Sequence, residues 1–238
     1  MLLFYIRHGD AIYNPDSLSP LGERQAEALS KRLAKYGIDE IYASTSNRAQ
    51  LTAKPTAELL KKEIKLLDFC NEQYGWDAFT VDEDGVLDWF FKKTRFKKIL
   101  AGNDVVNRAY EWYENDELKG YNFGKKDIDR VDKELDSLIS ELGYEHDREK
   151  HIYKCVKPND KRVALFAHQG FCVSFLSSLL DIPYPFIANH FDICNTGMTV
   201  IEFREEKGIS VPKVLTLSND SHIYSENLIV NNDSMVRF

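Results

Sequence analysis

The sequence predicts an α/β fold with a mostly parallel sheet and a helical insertion in its second quarter and middle. Short apolar runs recur at 2–6, 41–44 and 163–167. The last two lead directly into helical patterns, and the first reaches one after a short loop, as strands of a parallel sheet and their crossovers require. Each run is also followed by residues that carry chemistry: Arg7 and His8 after the first, Arg48 after the second, His168 after the third. In open α/β sheets the carboxyl ends of the strands form the ligand edge. Two arginines and two histidines are therefore expected at one edge of one sheet. That cluster of cations suits a phosphoryl group, and the chain reads as an enzyme that handles one.

The elements follow in order. Leu2–Leu3–Phe4–Tyr5–Ile6 is a buried strand. A loop from Asp10 to Leu18 follows. Ser19 is an N-cap with Pro20 at the first helical position, and Gly37 closes that helix after about Lys35. Ile41 to Ser44 is the second strand. Thr45, Ser46 and Asn47 form a polar, capping turn before a helix near Arg48, in which Pro55 predicts a kink or break. Ile64 to Leu67 is a third strand, followed by a polar loop from Asn71 to Gly75. From about 80 to 161 the pattern changes. Helices are expected at 86–100, 104–118 and 127–142, punctuated by Gly102, Gly120 and Gly124; the last presents Val131, Leu135, Leu138, Ile139 and Leu142 on one face. Runs at 152–155 and 163–167 resemble two strands joined by a turn. A helix from Gln169 to Leu180 ends at Pro183 and Pro185, and strands at 199–203 and 211–217 finish the sheet.

The length of 238 residues fits one domain, 1–238, with 80–161 as an insertion or cap within it. No apolar run is long enough to span a bilayer, and the first six residues lack the basic start of a signal peptide. The net charge of −7 argues against general nucleic-acid binding, but a local arginine cluster still permits an anionic substrate. Cys70, Cys155, Cys172 and Cys194 have no metal-site spacing and read as buried thiols of a reducing compartment, so a cytoplasmic location is expected. The histidines lack ligand spacing as well. No metal and no cofactor are expected.

His8 lies between an arginine and a glycine at a strand end, where the chain turns sharply and comes close to a ligand. Neutral imidazole is a competent nucleophile towards phosphorus. The guanidinium forks of Arg7 and Arg48 match phosphate oxygens, and His168 adds a donor for charge that grows in the transition state. Gln169 and Gly170 open a helix whose N–H groups favour an anion. An ester also needs an acid for its leaving oxygen. Asp68, Glu72 and Asp77 follow the third strand, and Glu72 is the best placed.

Arg7-His8-Gly9, Asn14, Leu18-Ser19-Pro20-Leu21-Gly22 and Gln25-Ala26 resemble the histidine phosphatase superfamily, also called phosphoglycerate mutase-like. The resemblance continues in Ser44, Arg48-Ala49, Thr52-Ala53, Asn71-Glu72, Tyr74-Gly75, Ala167-His168 and Ser218 to His222. It covers about 1–77 and 162–222 and says little of the middle. It implies a three-layer α/β/α sandwich and a metal-independent phosphomonoester phosphatase acting on a small phosphorylated metabolite. It further implies that His8 accepts the phosphoryl group. Arg7, Arg48, His168 and Asn14 would bind the phosphate, and Glu72 would serve as acid and then base. Two departures stand out. Gln169 replaces a common glycine, and Glu72 to Gly75 is one residue tighter than in the mutases.

A phosphoglycerate mutase and a non-catalytic phosphate-binding module remain as other readings. The oligomeric state is open. His222 is expected to pack, His146 and His151 to be solvated, and His190 and Asn195 carry no assignment. Trp89, Phe90, Phe91, Phe96, Tyr110, Trp112 and Tyr113 read as the insertion's own core, or else as walls of the pocket. The basic run Lys92, Lys93, Arg95, Lys97 and Lys98 reads as a solvated helix face.

Overall fold

A six-stranded sheet organises the chain. The structure is a computed structural model and describes residues 1–121, 123 and 125–229, so the expected break at Gly124 lies outside the described residues. Strand β1 (Leu2–Arg7) is buried from Leu3 onward, as a central strand covered on both faces must be. The expected loop after it is a small hairpin, β2 (Ala11–Tyr13) with β3 (Asp16–Leu18). Ser19 then caps α1 (Pro20–Tyr36) by accepting from Gly22 N at 3.1 Å, and Gly37, at φ 72°, closes it in the left-handed conformation. After β4 (Glu40–Ser44), Ser46 caps α2 (Asn47–Leu60). Pro55 does not break this helix. Its buried face of Ala49, Thr52, Ala53, Thr56 and Ala57 packs against the body, and that packing outweighs one lost hydrogen bond.

Strand β5 (Ile64–Leu67) and a 3₁₀ turn at Asp68–Cys70 lead to α3 (Glu72–Phe79). This is a helix where a loop was expected. Asn71 caps it by accepting from Gln73 N at 3.0 Å, and the charge of Glu72 suits the first turn. The next expected helix begins instead as a hairpin, β6 (Thr80–Glu83) with β7 (Val86–Trp89). Asp84 and Gly85 both have positive φ, 57° and 77°, the two-residue turn that an Asp-Gly pair favours. Helices α4 (Thr94–Leu100) and α5 (Asn103–Arg108) and a 3₁₀ run at Ala109–Glu114 occupy the rest of the two expected helices.

The amphipathic α6 (Lys125–Glu141) buries Val131, Leu135, Leu138 and Ile139 as its spacing predicts. Strands β8 (Tyr144–Asp147) and β9 (Ile152–Cys155) pair with each other, whereas β10 (Arg162–Ala167) runs into the central sheet; the expected 152–167 hairpin does not form. Helix α7 (Gln169–Leu180) ends on Asp181 in the left-handed conformation. Pro183 and Pro185 do not stop it but open α8 (Tyr184–His190), the helix end where proline is tolerated. Strands β11 (Met198–Glu202), β12 (Ile209–Ser210) and β13 (Lys213–Asn219) and the short α9 (Ser221–Ser225) follow.

The central order is β13-β11-β1-β10-β4-β5, while β12 extends the β8–β9 pair. β1, β10, β4 and β5 are parallel; β11 runs antiparallel to both of its neighbours. Alternate residues of β1 face opposite layers. Phe4 and Ile6 pack with Leu29, Leu33 and Ala53 of α1 and α2. Leu3 and Tyr5 pack with Leu138, Phe171 and Phe175 of α6 and α7. This is the three-layer sandwich. Trp89, Phe90, Phe96 and Trp112 belong to the second of these cores, so these aromatics extend the main core instead of forming a separate one. No helix among the described residues is long and apolar enough to cross a membrane.

Candidate active site

Parallel pairing sets the ends of β1, β10 and β4 level with one another. Arg7 is in register with Ala167, and Phe166 with Ala43. His8 leaves β1 at this edge, His168 is the N-cap of α7, and Arg48 lies in the first turn of α2.

His8 is buried and its backbone is pinned. Its N–H donates to Ala167 O at 2.9 Å, and its carbonyl accepts from Thr196 N and Asn195 Nδ2, each at 3.2 Å. The next residue, Gly9, approaches α1 so closely that a Cβ there would lie 2.8 Å from Gly22 O. His8 Nδ1 stands 2.7 Å from Gly9 O. A carbonyl only accepts, so Nδ1 carries the ring proton and Nε2 keeps its lone pair. Burial, joined by the neighbouring His168 and Arg7, holds the His8 pKa well below its ordinary value. The ring is therefore neutral and nucleophilic at neutral pH.

The His168 ring lies 5.2 Å from that of His8, tilted by 58°. Its Nε2 faces Ser44 Oγ at 2.8 Å and Ser46 Oγ at 3.2 Å. Ser44 Oγ also accepts from Ser46 N; with its hydroxyl proton given to Nε2, the ring proton stands on Nδ1, on the side of the Glu72 carboxylate. That Nδ1 is buried, has no hydrogen-bond partner among the described residues, and lies 3.6 Å from Glu72 Oε2. Burial, with Arg48 and Arg7 nearby, holds this imidazole neutral as well.

The two guanidiniums are anchored. Arg7 Nη1 donates to Ile193 O at 2.8 Å. Arg48 donates through Nη1 to Asp16 Oδ1 at 2.9 Å and through Nη2 to Glu72 Oε2 at 3.0 Å, with Tyr13 against its face. Glu72 Oε1 accepts from Gly170 N at 2.8 Å. The carboxylate thus sits where donors from α2 and α7 converge.

Arg7, His8, Arg48, Glu72 and Gln169 line one cavity of ≈ 800 Å³, with His168 beside His8. Asn14 is not brought there. It sits on the exposed β2–β3 turn, because the hairpin carries it outward and sends Tyr13 and Asp16 to the cavity instead. Gln169 uses its Oε1 to accept from Ile193 N, and the Gly170 N–H expected for an anion is taken by Glu72. Sequence reasoning missed Ser44 and Ser46, which set the His168 tautomer, and Asn195, which holds His8. Their polar types at strand ends were the available signal.

His222 packs as expected. It is buried, its Nε2 meets Thr196 Oγ1 at 3.0 Å, and burial, aided by Arg32, pushes its pKa down to about 4. His146 is not solvated. It is buried between Asp136, 3.0 Å from Nδ1, and Asp181, 2.8 Å from Nε2, and stacks on Tyr153. The acidic partners come from α6 and the end of α7, which sequence distance concealed. His151 is exposed.

His8, Glu72 and His168 offer ligand atoms within 4.8 Å of one another, a spacing that could hold a metal ion. The adjacent guanidiniums of Arg7 and Arg48 repel a cation and favour an anion at the same place.

The family model of the histidine phosphatase superfamily (branch 1) matches residues 3–115. No curated protein matches the chain. Among solved structures, a phosphoserine phosphatase from Entamoeba histolytica in complex with phosphoserine is 21% identical, with a TM-score of 0.59 over 93% of this chain and 98% of that chain. A putative alpha-ribazole-5'-P phosphatase from Escherichia coli is 20% identical, with a TM-score of 0.58 over 92% of this chain and 98% of that one. A mycobacterial glucosyl-3-phosphoglycerate phosphatase complexed with VO3 is 20% identical, with a TM-score of 0.57 over 90% and 97%. At such identities the likeness is one of fold, and it extends well beyond the stretch that the family model matches. Residues 3–115, with Arg7, His8, Arg48 and Glu72, are thus assigned to the histidine phosphatase superfamily (branch 1), and the fold shared with these structures extends over nearly the whole length.

Proposed function

We propose that this protein is a phosphatase that hydrolyses small phosphomonoesters through a phosphohistidine on His8. The observation that carries the reading is the proton arrangement of the two imidazoles. His8 donates its Nδ1 proton to Gly9 O in a hydrogen bond and keeps Nε2 for attack, while the unpartnered Nδ1 of His168 lies 3.6 Å from Oε2 of Glu72, which lines the same cavity as His8.

A phosphoryl group between Arg7, Arg48 and His168 Nδ1 has donors for its equatorial oxygens. His8 Nε2 attacks phosphorus in line as the ester P–O bond breaks. As that group takes over the Arg48 and Gly170 donors, the freed Glu72 carboxylate takes the proton carried by the monoanionic ester and passes it to the leaving oxygen. Water then attacks the phosphohistidine, Glu72 takes its proton, and inorganic phosphate leaves. Residues 1–238 act as a single domain in this reading. Residues 80–161 act as its cap, whose Trp89 and Phe91 close one side of the cavity. The four unpaired cysteines accord with a cytoplasmic location.

Hydrolysis of p-nitrophenyl phosphate tests the reading. Wild-type protein should turn it over in the presence of EDTA. His8→Ala should lose activity at least about a thousandfold with unchanged circular dichroism. Full activity in His8→Ala removes the proposal. Dependence on a bisphosphorylated primer with little phosphate release would identify a mutase instead.

A further inference from the structure

We propose that the alcohol part of the substrate carries a planar aromatic or heteroaromatic ring, received by a wall of Trp76, Trp89 and Phe91. This rests on the reading of the site as a phosphomonoesterase. The cavity of ≈ 800 Å³ is large enough to take a whole small molecule, so much of it serves the part of the substrate beyond phosphorus. Every apolar side chain among its described lining residues is aromatic: Tyr13, Trp76, Trp89 and Phe91. A mixed apolar pocket accepts any greasy group, whereas a purely aromatic one offers flat faces and ring edges whose quadrupoles favour another ring.

The wall is fixed in place. Trp76 meets Trp89 edge to face, centroids 5.5 Å apart at 88°, and Phe91 lies 5.5 Å beyond Trp89. The Trp89 indole is seated on main chain. A Cβ at Gly170 would fall 2.2 Å from its Cζ2, and one at Gly75 would fall 3.3 Å from its Cη2. Such a surface binds without first losing rotamer freedom.

Its position assigns it to the leaving group. Glu72 and Trp76 are four residues apart on α3 and so share a helix face. Gly170, on which Trp89 rests, gives its N–H to Glu72 Oε1. The aromatic wall therefore stands beside the carboxyl that serves the leaving oxygen. Asn71, Gln73 and Asp88 line the same cavity and supply polar groups for ring heteroatoms.

The test compares kcat/KM for 2-phenylethyl phosphate and 2-cyclohexylethyl phosphate. The two esters share chain length and have closely similar leaving groups, and they differ in planarity and π character. The phenyl ester should be preferred about tenfold. Trp76→Leu and Phe91→Leu should each bring that ratio close to one; Trp89 is left in place because it packs on Gly170, whose N–H holds Glu72. A wild-type ratio within about twofold of one, or a ratio untouched by both substitutions, overturns the inference while leaving the phosphatase reading intact. If neither ester nor p-nitrophenyl phosphate is hydrolysed, the phosphatase reading falls, and the inference with it.

Discussion

The rings of His8 and His168 stand 5.2 Å apart although they come from opposite halves of the chain, and each has one nitrogen committed to the protein and one turned to the site. Ser44 secures the committed nitrogen of His168, 2.8 Å away. Ser44→Ala should therefore lower kcat by roughly fivefold, the worth of one buried hydrogen bond of about 1 kcal/mol. The variant should retain its thermal midpoint to within a few degrees. Steady-state kinetics on an aryl phosphate reads this directly, and an unchanged kcat would mean that Ser46 alone sets the tautomer.

Glu72→Gln separates acid catalysis from binding. The amide oxygen still accepts from Gly170 N, but no proton reaches the leaving oxygen. Alkyl phosphates, whose alkoxides leave poorly, should slow by about 10²- to 10³-fold, and p-nitrophenyl phosphate by far less. Equal losses on both substrates would show that Glu72 acts through Arg48, which it bonds at 3.0 Å, and not as an acid.

Gly170→Ala probes the seat of that carboxyl. The added Cβ would fall 2.2 Å from Trp89 Cζ2, so the indole or the start of α7 must shift. A stability loss of about 1–3 kcal/mol is expected. A fall in kcat should accompany it, because Gly170 N holds Glu72. Denaturant unfolding and turnover of an alkyl phosphate measure the two effects.

Much of the fold was legible because its signals are local. Ser19-Pro20 and Gly37 mark both ends of α1, and the apolar runs mark β1, β4 and β10. Two misses were also local. Asp84-Gly85 is a hairpin turn, and Asn71-Glu72 is a helix start. The others needed tertiary context. Pro55 survives in α2 because of what the helix packs on, and β9 pairs with β8 because both flank one turn, leaving β10 to the centre. In the site, Arg7, His8, Arg48, Glu72 and His168 were readable from strand ends. The resemblance suggested Asn14, but the β2–β3 hairpin turns it outward. His146 looked solvated because Asp136 and Asp181 reach it only through folding.

The buried histidines make stability depend on pH in opposite senses. His222, with a folded pKa of about 4 against an unfolded 6.5, gives up stability as pH falls from 6.5 towards 4, by roughly 3 kcal/mol in all. His8 and His168, also held low, add to this loss. For His146, burial opposes the charge, but the hydrogen bonds to Asp136 and Asp181 outweigh it and raise the pKa. Its contribution is complete below 6.5 and disappears as pH rises through the folded value. The thermal midpoint of wild type should fall below pH 6. His222→Asn should flatten that acid limb, and His146→Gln should instead change the limb above neutrality.

Covalent chemistry at His8 Nε2 is tested most directly by trapping the phosphohistidine. Wild-type protein mixed with a ³²P-labelled phosphomonoester and quenched in alkaline denaturant should carry label that is stable to base and lost in acid, with peptide mapping placing it on His8. Glu72→Gln should retain label for longer, because water attacks the phosphohistidine more slowly without its base. Label on another residue, or hydrolysis with no labelled protein on the millisecond scale of a rapid quench, would contradict it.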